Sequence, residues 1–222
     1  MANDPSRPDP LTVRQPKQAR SKARLEAILD AAEGLIAVDG MAHLTMSNVA
    51  ARAKISIGSL YQYVPTPQAL LRALADRFLS EWRLDIERFM SRATTPQELS
   101  DAIAQILWRI YCTMRERPQL REIWAHMQAD RELAALDLED SRRNVGWIVD
   151  AMVRVGAVGD GDREGVATDV LLITHLSGSA IQMATGLDDE EGTQIVRAYV
   201  ETSAARAGLP APSSFPPADA GT

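Results

Sequence analysis

Apolar residues recur along most of the chain with the 3.6-residue period of amphipathic helices, and no run of alternating Val, Ile, Thr or aromatic residues marks a strand. The first stripe places Leu25, Ile28, Leu29, Ala32, Leu35 and Ile36 at offsets 0, 3, 4, 7, 10 and 11, and Gly40 ends it. A short helix is predicted from Thr45 to Ala53. A second, capped by Ser56, runs to Tyr63 and ends before Val64-Pro65, because the residue before a proline is pushed out of the α region. Two short helices with a tight connection predict helix-turn-helix geometry.

Thr66 followed by Pro67 reads as an N-cap with Pro at the first helical position, opening a long helix to about Arg92. The same start recurs at Thr95-Pro96 and Arg117-Pro118. Asp130 precedes a helix closed by Gly156, Asp162 caps one closed by Gly186, and Asp188 or Asp189 opens the last. The prediction is an all-α fold of about nine helices. Residues 1–19 hold four of the twelve prolines and no apolar period, and read as a flexible basic arm; residues 207–222 read as a disordered tail.

Composition narrows the class. The 222 residues are 45% hydrophobic and 24% charged, which suits a packed core. One cysteine, Cys112, excludes an intramolecular disulfide, and the three histidines offer no ligand pair at helical spacing, so no metal site is expected. The segment from Asp160 to Gly165 imitates the start of a calcium loop, but Leu171 stands where the bidentate Glu belongs. No Gly-x-Ser-x-Gly, Walker loop or dinucleotide fingerprint appears, so neither an enzyme nor a cofactor is expected. Without an apolar run at the amino terminus or a membrane span, a cytoplasmic setting is expected.

The chemistry lies between Leu44 and Leu71, LTMSNVAARAKISIGSLYQYVPTPQALL. Val49, Ala50, Ala53, Ile55, Leu60 and Val64 form a small apolar seam, leaving Ser56, Ile57, Gly58, Ser59, Gln62 and two tyrosines to face outward. Hydroxyls, phenols and backbone N–H groups on one face suit a surface pressed on a phosphate backbone. Gly40, Thr45, Val49, Ala50, Ala53, Ile55, Ser56, Gly58, Ser59, Leu60, Tyr61, Tyr63 and Leu70 match, in register, the amino-terminal pattern of the TetR (tetracycline-repressor-like) family of transcription regulators, which this segment resembles.

The resemblance implies residues 20–65 as a three-helix DNA-binding domain and residues 66–206 as a larger helical domain for ligand binding and dimerisation. It implies phosphate contacts from Thr45, Ser47, Tyr61 and Tyr63, and base-edge contacts from Ile57, Gly58, Ser59 and Gln62, with Ser56 at the start of the reading helix. Arg14, Lys17, Arg20, Lys22 and Arg24 would reach phosphates or the minor groove. Three positions depart from the pattern. Lys54 stands where Gly is usual, so a residue with a Cβ must take the turn's left-handed geometry; Val64 replaces an aromatic; Pro67 replaces a phosphate-binding Lys.

Beyond residue 71 only periodicity guides the reading. Trp108, Tyr111, Met114, Trp124, His126, Met127, Trp147 and His175 are candidates to line an apolar pocket for an apolar or aromatic small-molecule effector, with ordinary core as the competing account. Leu171, Thr174, Gly178, Ile181, Val196 and Tyr199 on the last two helices are candidates for a homodimer interface. The implied function is a ligand-responsive repressor released from a pseudopalindromic DNA operator. The rival is an all-α small-molecule-binding protein or enzyme whose helix-turn-helix-like segment is structural only.

Charge bears on this choice. The formal net charge of −6 speaks against a nucleic-acid binder, but it averages two unlike parts. Residues 1–64 hold eight Lys+Arg against six acids, and the remainder 16 against 24. An acidic body with a basic amino-terminal part orients DNA binding rather than excluding it.

Overall fold

The computed structural model describes residues 10–213 and 215, with side chains from residue 20 onward. Among them are nine α-helices, two single-turn 3-10 segments and no strand. The chain divides into two compact units, residues 1–74 and 75–222.

The first unit contains α1 (Pro10–Asp39), α2 (Met46–Arg52), α3 (Ile57–Tyr63) and the start of α4 (Pro67–Arg92). Helix α1 buries the expected stripe, with Ile28, Leu29, Ala32, Leu35 and Ile36 all nearly inaccessible. It starts earlier than the apolar period suggests. Residues 10–19, expected as a flexible arm, continue α1, with Pro10 at its first position and Pro16 in its interior, so local propensity does not account for this extension; residues 1–9 lie outside the described residues. Met46, Val49, Ala50, Leu60 and Val64 complete the small core, and α2 packs on both α1 and α3.

The second unit holds the rest of α4 with α5 (Pro96–Glu116), α6 (Pro118–Ala129), α7 (Arg131–Arg154), α8 (Arg163–Thr185) and α9 (Asp189–Arg206). Short polar caps fix its helix starts: Thr95 accepts from Glu98 N, Asp130 from Glu132 N and Leu133 N, and Asp188 from Glu191 N. Asp162 sits at the N-cap of α8 but makes no side-chain cap bond, contrary to its expected role, because residues 160–162 already form a 3-10 turn. Helix α7 ends in a Schellman motif, with Gly156 N bonded to Val153 O, Ala157 N to Met152 O, and Gly156 at φ 73°.

Helix α9 ends in the same way, and this changes the reading of the tail. Gly208 at φ 70° donates to Ala205 O and Leu209 N to Ala204 O, which folds the chain back and buries Leu209. Ser100 Oγ then donates to Pro210 O at 2.7 Å, and Asp101 accepts from both the backbone N–H and the hydroxyl of Ser213 at 2.7 Å. Phe215 meets the Trp108 ring edge-on at 5.1 Å. The expectation of disorder therefore fails for residues 207–213 and 215, while residues 214 and 216–222 lie outside the described residues. Gly, a hydrophobe, then Pro directly after the last helix is the sequence signature of this turn. No helix among the described residues is long and apolar enough to cross a membrane.

Candidate nucleic-acid interface and effector cavity

The turn between α2 and α3 is built from backbone hydrogen bonds. Lys54 N donates to Ala51 O at 3.2 Å and Ile55 N to Ala50 O at 3.0 Å, again a Schellman motif, and here the left-handed position belongs to Lys54 at φ 55°. It is the one described non-glycine residue with positive φ.

Both short helices are capped by hydroxyls. Thr45 Oγ1 accepts from Asn48 N at 3.2 Å, which leaves its own hydrogen to donate. Ser56 Oγ accepts from Ser59 N at 3.1 Å and donates to Ser59 Oγ at 2.9 Å, which passes the outward hydrogen on to Ser59. Thr45, Ser47, Ser56, Ile57, Gly58, Tyr61, Gln62 and Tyr63 are all exposed, and Ser59 is half-buried. Ile57 at 44% and Tyr61 at 45% are unusually open for large side chains on so small a core. Arg20 and Lys22 are exposed on α1; the side chains of Arg14 and Lys17 lie outside those described. A Cβ at Gly58 would meet nothing within 4 Å, so this glycine is not required by packing within the chain.

The second unit holds a partly open cavity of about 150 Å³ among α4 to α9 and the returning tail. Its apolar wall includes Phe78, Trp82, Ile103 and Ile106, and Ala207 and Leu209 of the tail also line it. Of the eight residues proposed from the sequence, Trp124 and His175 line the cavity. Trp108, Tyr111, Met114 and Met127 are buried core away from it, as the competing account has it, and His126 and Trp147 are half-buried outside it.

Sequence reasoning missed the polar wall. Asp137, Asp140, Ser141 and Asn144 line the cavity from one face of α7, at offsets 0, 3, 4 and 7. The legible signal was four polar residues in the helical phase that an apolar stripe should occupy. Arg83 clamps Asp140 Oδ1 through Nε at 2.8 Å and Nη2 at 2.5 Å, and Asn144 Nδ2 donates to Asp140 Oδ2 at 3.1 Å. Asp137 Oδ2 accepts from Gln128 Nε2 at 2.7 Å and lies 3.7 Å from His175 Nδ1, which is also 3.2 Å from Ser141 Oγ. Burial pushes the Asp137 carboxyl above its ordinary range, against the opposing pull of Gln128 and His175.

Within the protomer two of the expected dimer residues are buried and four are half-buried. Ile181 and Val196 are buried within the protomer, a Cβ on Gly178 would stand 2.9 Å from the Trp124 indole, and Thr174 lines the cavity. Leu171 packs on the core of the second unit. The Tyr199 hydroxyl donates to Ile173 O, and burial pushes its pKa up to about 12. The exposed apolar stripe of α8 is Leu172, Leu176 and Met183, at 55%, 45% and 58% exposure. It lies about one position, or 100° of helix rotation, from the expected set.

A capped helix-turn-helix with an outward polar and phenolic face, followed by a helical unit around a largely apolar cavity with one polar wall, defines a two-unit helix-turn-helix protein with a small-molecule-sized chamber. Residues 28–74 match the family described as bacterial regulatory proteins, tetR family, and residues 97–206 match the tetracyclin repressor-like C-terminal domain. The chain belongs to the tetR family. Among curated proteins it is similar to the HTH-type transcriptional regulator BetI of Rhizobium meliloti (strain 1021), 31% identical over 94 residues, 42% of this chain and 46% of BetI. The match thus spans about half the length of that relative. SmeT, the repressor of the Stenotrophomonas maltophilia multidrug efflux pump SmeDEF, shares the fold at TM-score 0.65 and 19% identity, covering 88% of this chain and 97% of SmeT. RolR in complex with the ligand resorcinol does so at TM-score 0.57 and 16% identity, covering 90% of this chain and 100% of RolR.

Proposed function

We propose that this protein is a dimeric, ligand-responsive transcriptional regulator that represses from a pseudopalindromic operator in the cytoplasm and is released by a small molecule in the cavity of its second unit. One observation carries the reading: every DNA-contact candidate of α2 and α3 is exposed except the half-buried Ser59, while Met46, Val49, Ala50, Leu60 and Val64 are buried and Ala53 and Ile55 half-buried. Family membership and the repressor SmeT support it, and RolR, solved with resorcinol, supports the effector role of the cavity.

In this reading Thr45, Ser47, Tyr61 and Tyr63 hold phosphates, and Arg20 and Lys22 add charge. Ile57, Gly58, Ser59 and Gln62 face base edges, with Gln62 suited to adenine and Ile57 to a thymine methyl. Two-fold symmetry places the reading helices about 34 Å apart, or a multiple of that. An effector lowers DNA affinity only as far as it binds the released arrangement more tightly than the DNA-bound one.

The test is a gel shift of the full chain on DNA upstream of its own gene, at fixed and stated salt. Specific retardation is expected, and its absence at every salt concentration refutes the reading. Tyr61→Phe and Tyr63→Phe should weaken binding to all sequences alike, whereas Gln62→Ala should relax preference at one base pair by about 1–3 kcal/mol.

A further inference from the structure

We infer that the cavity of the second unit selects a neutral, single-ring molecule bearing a hydroxyl, and that it rejects carboxylates of the same size. The inference rests on the effector role proposed for this cavity. Size comes first: about 150 Å³ accommodates one six-membered ring. The apolar wall, with Phe78, Trp82, Ile103 and Ile106, suits its body.

Charge sets the second. The lining contains two carboxylates, Asp137 and Asp140, one imidazole, His175, and no Lys or Arg. Arg83 does not offer a cation to a ligand, because its guanidinium is spent on Asp140 Oδ1. Asp140 is thereby balanced, whereas Asp137 has a neutral amide donor and the His175 ring beside it and no guanidinium. A ligand carboxylate would enter a largely apolar chamber with no cation to meet it and a carboxylate already present.

Two unpartnered atoms set the third. Asn144 is only 6% exposed, and its Nδ2 donates to Asp140 Oδ2, which fixes the amide orientation and makes the other atom Oδ1, an acceptor. That Oδ1 is buried with no hydrogen-bond partner, and so is Trp82 Nε1, a donor. Both residues line the cavity. Native interiors seldom leave such groups unpaired, so each marks a place for a ligand group. A hydroxyl suits either atom, since it can donate to the amide oxygen or accept from the indole. A carboxylate answers only the indole and adds a negative charge near Asp137.

The experiment titrates the full chain with benzyl alcohol, toluene and benzoate at one pH and ionic strength, read by calorimetry and by quenching of the wall tryptophans Trp82 and Trp124. Benzyl alcohol should bind saturably, with toluene and benzoate each at least about tenfold weaker. Trp82→Phe, which keeps the ring and removes the donor, should weaken benzyl alcohol about fivefold and leave toluene within about twofold. Benzoate binding as tightly as benzyl alcohol, or toluene doing so, overturns the selectivity while the effector cavity stands. Saturable binding by none of the three overturns the cavity reading along with it. The wild-type series decides even if the variant misfolds.

Discussion

Ser56 Oγ accepts the Ser59 amide hydrogen at 3.1 Å and donates to the Ser59 hydroxyl at 2.9 Å, so one serine pins the first turn of α3 twice. With only seven residues in α3, that cap is a large share of the helix's own stability. Ser56→Ala should cost about 1 kcal/mol of local stability, seen as faster amide exchange throughout α3, and should weaken DNA binding in parallel. Ser59→Ala keeps the cap acceptor, so it should weaken DNA binding with a stability change below about 0.5 kcal/mol. Equal loss of α3 protection in both variants would contradict the division of labour.

Lys54 holds the left-handed position of the turn at φ 55°, where a Cβ costs about 1–2 kcal/mol. Lys54→Gly relieves that strain, partly offset by the extra entropy glycine brings to the unfolded chain, so a net gain of about 0.5–1 kcal/mol is expected. Lys54→Ala removes the same charge and keeps the Cβ, so its thermal midpoint should stay near wild type. A rise in both variants would assign the effect to charge instead of backbone.

Helix starts and stops were legible because they rest on local chemistry. Thr66-Pro67, Thr95-Pro96 and Asp130 each announce a helix through groups within four residues, and the structure begins helices at those points. Lys54 was legible for the same reason, since a Schellman turn demands one left-handed residue whatever surrounds it. The cavity was not. Periodicity says which residues face inward but not whether they meet protein or a void, so Trp108 and Tyr111 read like Trp124 and His175. The dimer set rests on small residues, which permit close approach without saying by what, and Gly178 is approached by Trp124 of the same chain.

The returning tail depends on one buried side chain. Leu209 is 6% exposed and lines the cavity, and the bonds from Ser100 and Asp101 hold the segment that follows it. Leu209→Ala should lower the stability of the second unit by about 2–3 kcal/mol in urea denaturation. Asp101→Ala, which removes the two exposed bonds from Ser213 and a longer one from Gln97, should cost about 1 kcal/mol. An unchanged urea midpoint for Leu209→Ala would mean that the tail is not part of the packed core in solution.

Asp137 gives the second unit a pH signature. Its pKa is raised above the ordinary 3.8, first by burial and further by the neighbouring Asp140, so the protonated form is favoured by folding. The stabilising contribution is full below 3.8 and is lost as pH rises through the folded-state value. Asp137→Asn cannot ionise, and its carbonyl still accepts from Gln128. The variant should therefore gain on the wild type as pH climbs through that window and hold its advantage at neutral pH. A constant difference between the two across the range would show that Asp137 titrates normally.

Leu172, Leu176 and Met183 recur at intervals of four and seven along α8, so they form one exposed apolar stripe, with Ser179 between them on the same face. An isolated apolar residue on a surface is unremarkable, but a stripe on a long helix is the form a helical dimer contact takes. In a two-fold dimer every substitution counts twice. Leu172→Glu with Leu176→Glu would set four carboxylates into the contact, and the dimer constant should weaken at least about a thousandfold, roughly 4 kcal/mol. Sedimentation of the full chain at micromolar concentration should then show a monomer, with operator binding lost in step. Leu84→Glu is the control, since Leu84 is 71% exposed yet lies on α4, and it should leave the dimer intact. A double variant that still sediments as a dimer would remove α8 from the interface, and dissociation by Leu84→Glu would move the interface to α4.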